Sequence, residues 1–297
     1  QARPVTLVVP FPPGGSTDVL ARRLAERLGP AFSQTVIVEN RPGAGGTTGA
    51  DLVAKSPPDG HTLLLGVTGS NAIAQSLYPN LPYDTVRSFA PVSRLVSAPL
   101  VLAVHPAVPA NDVAGYVAAA RAVRGGLTYA TPGNGTSMHL TGVMFAGAAG
   151  VELTHVPYRG SAGAITDLVA GQVQSAFADL LVVLPQVRAG AVRALAVTSR
   201  TRHPLLPEVP TMEETGLRGF EAESWQGLFA PAGTPPEVLA RLHAEVARAM
   251  ANEDIRDGFA RQGFRVEATA PAEFAAFVAA ETAKWAEVVR AGRVVLD

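Results

Sequence analysis

The apolar run Val5-Thr-Leu-Val-Val9 leads straight into Phe11-Pro-Pro-Gly-Gly-Ser-Thr-Asp18, and Leu20, Leu24 and Leu28 follow at four-residue spacing. An apolar run of strand length, a break at prolines and glycines, and an i, i+4 stripe predict a strand, a tight turn and a helix that begins at Ser16 or Thr17. Two glycines at a helix start let backbone N–H groups approach a ligand with no Cβ in the way. Those N–H groups and the helix dipole favour an anion, a carboxylate or a phosphate. The same residues also suit an ordinary strand-to-helix turn in which Ser16 or Thr17 caps the helix.

Strand-like and helix-like runs alternate along the rest of the chain, which predicts an α/β protein with a mainly parallel sheet. Thr35–Glu39 and His61–Gly66 read as strands, separated by a glycine-rich loop (41–49), a helix ending near Lys55 and the turn Pro57-Pro-Asp-Gly60. Val67–Asn71 reads as a polar loop. Pro91–Val104 is too long for one ordinary strand and reads as a crossover. A second series then begins with a helix from Asn111 or Asp112 and the strand Leu127–Ala130. It continues through strands at Thr154–Pro157, Val173–Phe177 and Val192–Val197. Glu223–Ala230 resembles a second crossover, and two amphipathic helices beyond Pro235 are expected to pack back on the first lobe. This predicts a discontinuous lobe (1–100 plus 226–297) around an inserted lobe (101–225), with two crossovers as a hinge and the cleft between lobes as the ligand site. An uninterrupted single domain fits the same pattern.

Composition narrows the function classes. Of 297 residues 47% are hydrophobic, enough for a large core, and the net charge of −1 gives no basic field for nucleic acid. No apolar run is long enough to span a bilayer, so direct membrane insertion is not expected. Cysteine is absent, which removes disulfides, thiolate nucleophiles and thiolate metal ligands together. That fits an exported bacterial protein that folds without oxidation, and the start at Gln1 fits removal of a leader. The six histidines show no metal-ligand spacing, so no metal and no cofactor is expected.

Pro132-Gly-Asn-Gly-Thr-Ser-Met-His139 repeats the opening design in the second series: strand, glycine turn, hydroxyl-bearing helix start. In α/β sheets such loops lie at the carboxyl ends of strands, where ligands bind. Two helix starts facing one cleft suit a small carboxylate, which offers several strong acceptor positions. His139 fits either a ligand contact or a role packing the turn. Arg159 has the fork for a distal carboxylate, or for a surface ion pair. Ser70 and Asn71 offer donors for the ligand's far end or for capping. Asp18 reads as a first-turn carboxylate complementing the helix dipole, and Trp225 as a cleft wall or a core aromatic. No catalytic motif is present: there is no Gly-x-Ser-x-Gly elbow, His-Glu-x-x-His or Walker loop. Gly43-Ala-Gly-Gly-Thr-Thr-Gly49 lacks dinucleotide-binding spacing and reads as a structural loop. A small-anion or nucleotide-using α/β enzyme stays open as the alternative.

With Val38-Glu-Asn-Arg-Pro-Gly-Ala-Gly-Gly46, Asp59-Gly-His-Thr-Leu-Leu65, His155-Val-Pro-Tyr-Arg-Gly160, Pro207-Glu-Val-Pro-Thr211 and Phe229-Ala-Pro-Ala-Gly-Thr-Pro235, the two loops resemble the Bug family across essentially the whole chain. These are solute receptors associated with tripartite tricarboxylate transporters. The resemblance implies a two-lobed periplasmic-binding-protein-like (type II) fold, a periplasmic location and hinge closure on a small organic acid. Delivery to membrane transporter subunits, or to a sensor protein, is implied as well. It also implies that Pro13, Gly14, Gly15 and Ser16 face Gly135, Thr136 and Ser137 across one ligand carboxylate, with Phe11 and His139 as further candidate contacts. Thr68, Ser70 and Asn71 then line the cleft with Tyr158, Arg159 and Gly160. Where the family usually reads Phe-Asp-Asn-Leu, this chain reads Phe177-Ala178-Asp179-Leu180, with Asp179 as a partial substitute. A ligand ammonium would want a carboxylate there, so an acid without an α-amino group is expected.

Overall fold

The computed structural model of the chain describes residues 3–296. The first half runs β1 (Val5–Val9), α1 (Ser16–Phe32), β2 (Val36–Asn40), α2 (Thr47–Ala54), β3 (Thr62–Val67), α3 (Ala74–Leu77) and the long β4 (Phe89–Val104). Next come α4 (Val113–Arg121), β5 (Leu127–Thr131), α5 (Ser137–Ala149), β6 (Leu153–Pro157), α6 (Ser161–Ala170), β7 (Ser175–Asp179), α7 (Leu180–Arg188) and β8 (Arg193–Val197). The chain ends with β9 (Glu223–Pro231), α8 (Pro236–Met250), α9 (Glu253–Arg261), β10 (Arg265–Val266) and α10 (Pro271–Ala291).

These elements form two compact units. The first holds the residues up to Ser97 together with Trp225–Glu287, and the second holds Ala98–Ser224 with the residues from Val288 on. The chain passes from one to the other within β4, at the start of β9 and within α10. Sequence placed the whole C-terminal segment with the first lobe, whereas its last residues group with the second unit.

In the first unit the strand order is β2-β1-β3-β9-β4, with β10 on β4. β1 is parallel to β2 and β3, while β9 runs antiparallel to β3, with Gln226 opposite Val67. The sheet is therefore mixed rather than mainly parallel. The helix stripe behaves as its spacing predicts: Leu20, Leu24 and Leu28 are buried while Arg22 and Arg27 stay exposed. Trp225, Phe229 and Phe274 form the aromatic centre, with Phe229 and Phe274 ring centroids 4.9 Å apart. Trp225 is thus a core residue, fully buried.

In the second unit β5 is parallel to β6 and β7, and β4 is antiparallel to β7 and β8. Period-two alternation sorts the side chains into two apolar layers. Leu100, Leu102, Val104, Tyr129, Phe145 and Phe177 share one layer; Val101, Ala103, Ala130, Ala176 and Ala178 share the other. Leu127 pairs in parallel with Leu153, and the glycine turn before β5 lets the two chains approach closely there. Gly126 sits at φ +72°, and a Cβ there would lie 1.7 Å from the Glu152 carbonyl oxygen. Gly126→Ala should therefore fail to fold or lose more than about 3 kcal/mol in urea unfolding. An unchanged midpoint would contradict this account of the turn.

Candidate ligand-binding site

The first glycine loop leaves β1 and enters α1 with Gly15 as the N-cap, at φ −81° and ψ 178°. Neither Ser16 nor Thr17 caps the helix, as the ordinary-turn reading had it, and no side chain does. Among the described residues the amides of Ser16, Thr17 and Asp18 have no protein acceptor. They remain donors, with the positive end of a 17-residue helix behind them. Pro13, Gly14 and Gly15 are exposed, and Ser16 is half-buried.

Asp18 does more than complement the dipole. Its Oδ2 accepts the Gly14 amide (3.0 Å) and Arg22 Nε (3.1 Å), and its Oδ1 accepts Asn40 Nδ2 (2.9 Å). Asn40 also donates to the Phe11 carbonyl at 3.0 Å, so the loop is held from beneath at both ends. Burial pushes the Asp18 pKa up, but the Asn40, Gly14 and Arg22 bonds outweigh it and hold the carboxyl below the usual range. The partner that makes this visible, Asn40, lies on another strand. Phe11 is half-buried, and a Cβ on Gly46 would come 3.2 Å from its ring and 3.3 Å from Ser70 Cβ. Gly46, at φ +97°, lets the two approach.

The segment after β3 is not the polar loop that its composition predicts. Gly69–Ile73 forms a π-helical turn that runs into α3, and Ser70 and Asn71 are fully buried in it. Isolated π turns of this kind often mark functional positions. The Thr68 hydroxyl accepts the Trp225 amide at 3.0 Å, which ties it to β9. Ser70 donates its hydroxyl to Asn71 Oδ1 (2.7 Å) and takes the Tyr83 hydroxyl on its carbonyl (2.5 Å). Only Asn71 Nδ2 in this group is buried without a protein partner.

The second unit builds its loop differently. Thr136 is the N-cap of α5: its hydroxyl accepts the His139 amide (3.3 Å) and donates to the Gly133 carbonyl (2.8 Å). His139 Nδ1 accepts the Gly135 amide at 3.1 Å, so its ring organises the turn. The Ser137 and Met138 amides have no protein acceptor among the described residues. The Ser137 hydroxyl lies 3.1 Å from that of Ser224. Both loops thus end in free first-turn amides, three in the first unit and two in the second.

His139 stacks on His155 at 3.9 Å and 8°, and His155 Nε2 meets the Thr131 hydroxyl at 2.5 Å. Burial pushes His139 down to about 4; burial and the neighbouring His139 push His155 to about 3. Above about pH 4 burial keeps both rings uncharged in the folded state, while an unfolded chain protonates them below about pH 6.5. The unfolded state then binds more protons, so stability falls as pH drops from about 6.5 towards 4. The His139 shift, from 6.5 to about 4, is worth roughly 3 kcal/mol. Urea midpoints should fall more between pH 7 and 4.5 in the native sequence than in His139→Gln, whose amide still accepts the Gly135 N–H. Equal slopes would contradict a buried neutral imidazole.

Tyr158 gives its hydroxyl to Asp167, Arg159 is exposed, and Gly160, at φ +159°, is the N-cap of α6. Asp179 stands at the N-cap of α7 without a capping bond, and burial pushes its carboxyl up to about 6. It lines a small cavity with Thr131, Pro132, Ser161 and Ala178. No group of three or more His, Asp or Glu that would hold a metal occurs among the described residues, and no described helix is long and apolar enough to cross a membrane.

Residues 20–293 match the tripartite tricarboxylate transporter family receptor. A solved structure of Rpa4515 from R. palustris with adipate is similar at TM-score 0.90 and 36% identity, over 98% of this chain and 97% of that one. The periplasmic binding protein BugD is similar at TM-score 0.88 and 37% identity, over 99% of both chains. MatC from Rhodopseudomonas palustris, with bound malate, is similar at TM-score 0.87 and 36% identity, over 96% of this chain and 98% of that one. These chains share a two-lobed periplasmic-binding-protein fold with this one.

Proposed function

This chain belongs to the tripartite tricarboxylate transporter receptor family, and from that premise we propose that it is an extracytoplasmic solute-binding protein for a small organic carboxylate. The observation that carries the reading is the pair of glycine loops that leave first-turn amides free, at Ser16 and Thr17 and at Ser137 and Met138. Free backbone donors at two helix starts match the acceptor-only chemistry of a carboxylate. Adipate in Rpa4515 and malate in MatC support that ligand class.

In this reading one ligand carboxylate takes donors from both units, so the ligand favours a closed form over an open one. The crossings in β4, β9 and α10 serve as the hinge. Phe11, Pro13 to Ser16, Asn71, Gly135 to Ser137 and the Tyr158–Gly160 turn surround the acid, and waters bridge some of the contacts. The protein works in the periplasm, does no chemistry on its ligand, and hands it to the membrane subunits of a transporter. Ala178 lies in an apolar layer where a carboxylate would be needed to pair an ammonium, which favours acids without an α-amino group.

Thermal-shift screening against organic acids, amino acids and nucleotides tests this. A carboxylate should raise Tm by several degrees and be recovered unchanged; at 100 times Kd the linkage stabilisation is about 2.7 kcal/mol. Product formation, or stabilisation by nucleotides alone, would overturn it.

A further inference from the structure

Gln226 lies on β9 opposite Val67 and is only 6% exposed. Its Nε2 donates to the Ser16 hydroxyl at 3.1 Å, on the first residue of α1. Its Oε1 is buried and has no protein partner. A buried amide oxygen left unpaired is unfavourable, and its neighbours Trp225, Gly227, Leu228 and Phe229 show how apolar this strand otherwise is. The two ends of a carboxamide share one carbon, so Oε1 lies close to the helix start where the Ser16 and Thr17 amides are free.

We propose that Gln226 determines specificity by accepting a hydrogen bond from a donor on the carbon next to the ligand's carboxylate, and that the ligand is a 2-hydroxy acid. This rests on the carboxylate reading above. An acceptor oxygen excludes a 2-oxo group at that position, because two acceptors repel. It also disfavours an unsubstituted acid, which leaves Oε1 unpaired. An ammonium would donate, but it would face the positive end of α1. The acidic side chain in that first turn, Asp18, is already committed to Gly14, Arg22 and Asn40. A hydroxyl is the donor that this corner accommodates without a counter-charge. Neither a motif nor hydropathy singles out Gln226; its fixed contact to Ser16 does.

Calorimetric titration with two matched pairs, malate against succinate and lactate against propionate, isolates the hydroxyl. Within whichever pair binds, the hydroxy acid should bind at least about tenfold more tightly. Gln226→Met should bring it down to the level of its unsubstituted partner, whose own Kd should not weaken. Equal affinities within a pair, equal weakening of both acids by Gln226→Met, or tighter binding of aspartate than malate would each overturn the role of Gln226 while the carboxylate site stood. Binding of none of these acids, nor of adipate or citrate, would instead remove the carboxylate reading, and this inference with it.

Discussion

Ser16→Pro and Ser137→Pro should each weaken carboxylate binding by about 10- to 150-fold while the protein stays folded. Proline at the first position of a helix removes one N–H and little else, since that group has no intrahelical partner and the ring's φ is already helical. The preceding residues are ready for it. Gly15 has ψ 178° and Thr136 has φ −77° and ψ 161°, both in the extended region that proline imposes on its predecessor. What is lost is a hydrogen bond from a backbone N–H to a charged acceptor, worth about 1.5–3 kcal/mol, with tenfold in affinity for each 1.4 kcal/mol. Ser16→Ala and Ser137→Ala are the controls, because they delete the hydroxyl and keep the amide. If proline and alanine have the same effect at both positions, the amides are not the recognition groups.

Glu281→Leu should lower stability by about 2–6 kcal/mol, while Glu281→Gln should lower it far less. Glu281 is 8% exposed on α10 and accepts two indole N–H groups, from Trp225 at 2.7 Å and Trp285 at 3.3 Å. Both indoles are fully buried. Leucine leaves both donors without a partner, at about 1–3 kcal/mol each, whereas the glutamine carbonyl still accepts. Trp225 is the residue with which the returning β9 enters the first unit. The bond therefore fixes the strand that also presents Gln226. Urea titration of the two variants checks it; equal losses would mean that packing of the side chain, not its oxygen, is what α10 supplies.

The elements that carried strong local signals were legible from sequence. Gly14 and Gly15 followed by Leu20, Leu24 and Leu28 announced the loop and the α1 stripe, and Asp112 announced a cap that accepts the Gly115 amide at 2.7 Å. What failed was decided by distant partners. Thr68-Gly-Ser-Asn71 has the composition of a turn, yet Trp225, Tyr83 and full burial hold it as a helical segment. Pairing direction was hidden as well, because nothing in Glu223–Pro231 says that it runs antiparallel to β3. α9 was missed although its signals were present: Asn252 accepts the Ile255 amide, and Ile255 and Phe259 make a one-turn stripe within nine mostly charged residues. Of the site, sequence showed the backbone donors, because glycines and helix starts mark them. It did not show Asp18 holding Gly14, His139 holding Gly135 or Gln226 reaching Ser16, since each is a side chain whose meaning depends on where it ends up.

The most direct measurement is an amide-resolved NMR titration of the labelled protein with a carboxylate that stabilises it. The amide protons of Ser16 and Thr17 and those of Ser137 and Met138 should move downfield together and follow one common Kd. Movement at only one of the two loops, or at neither while the acid binds elsewhere, would contradict a single carboxylate held by both.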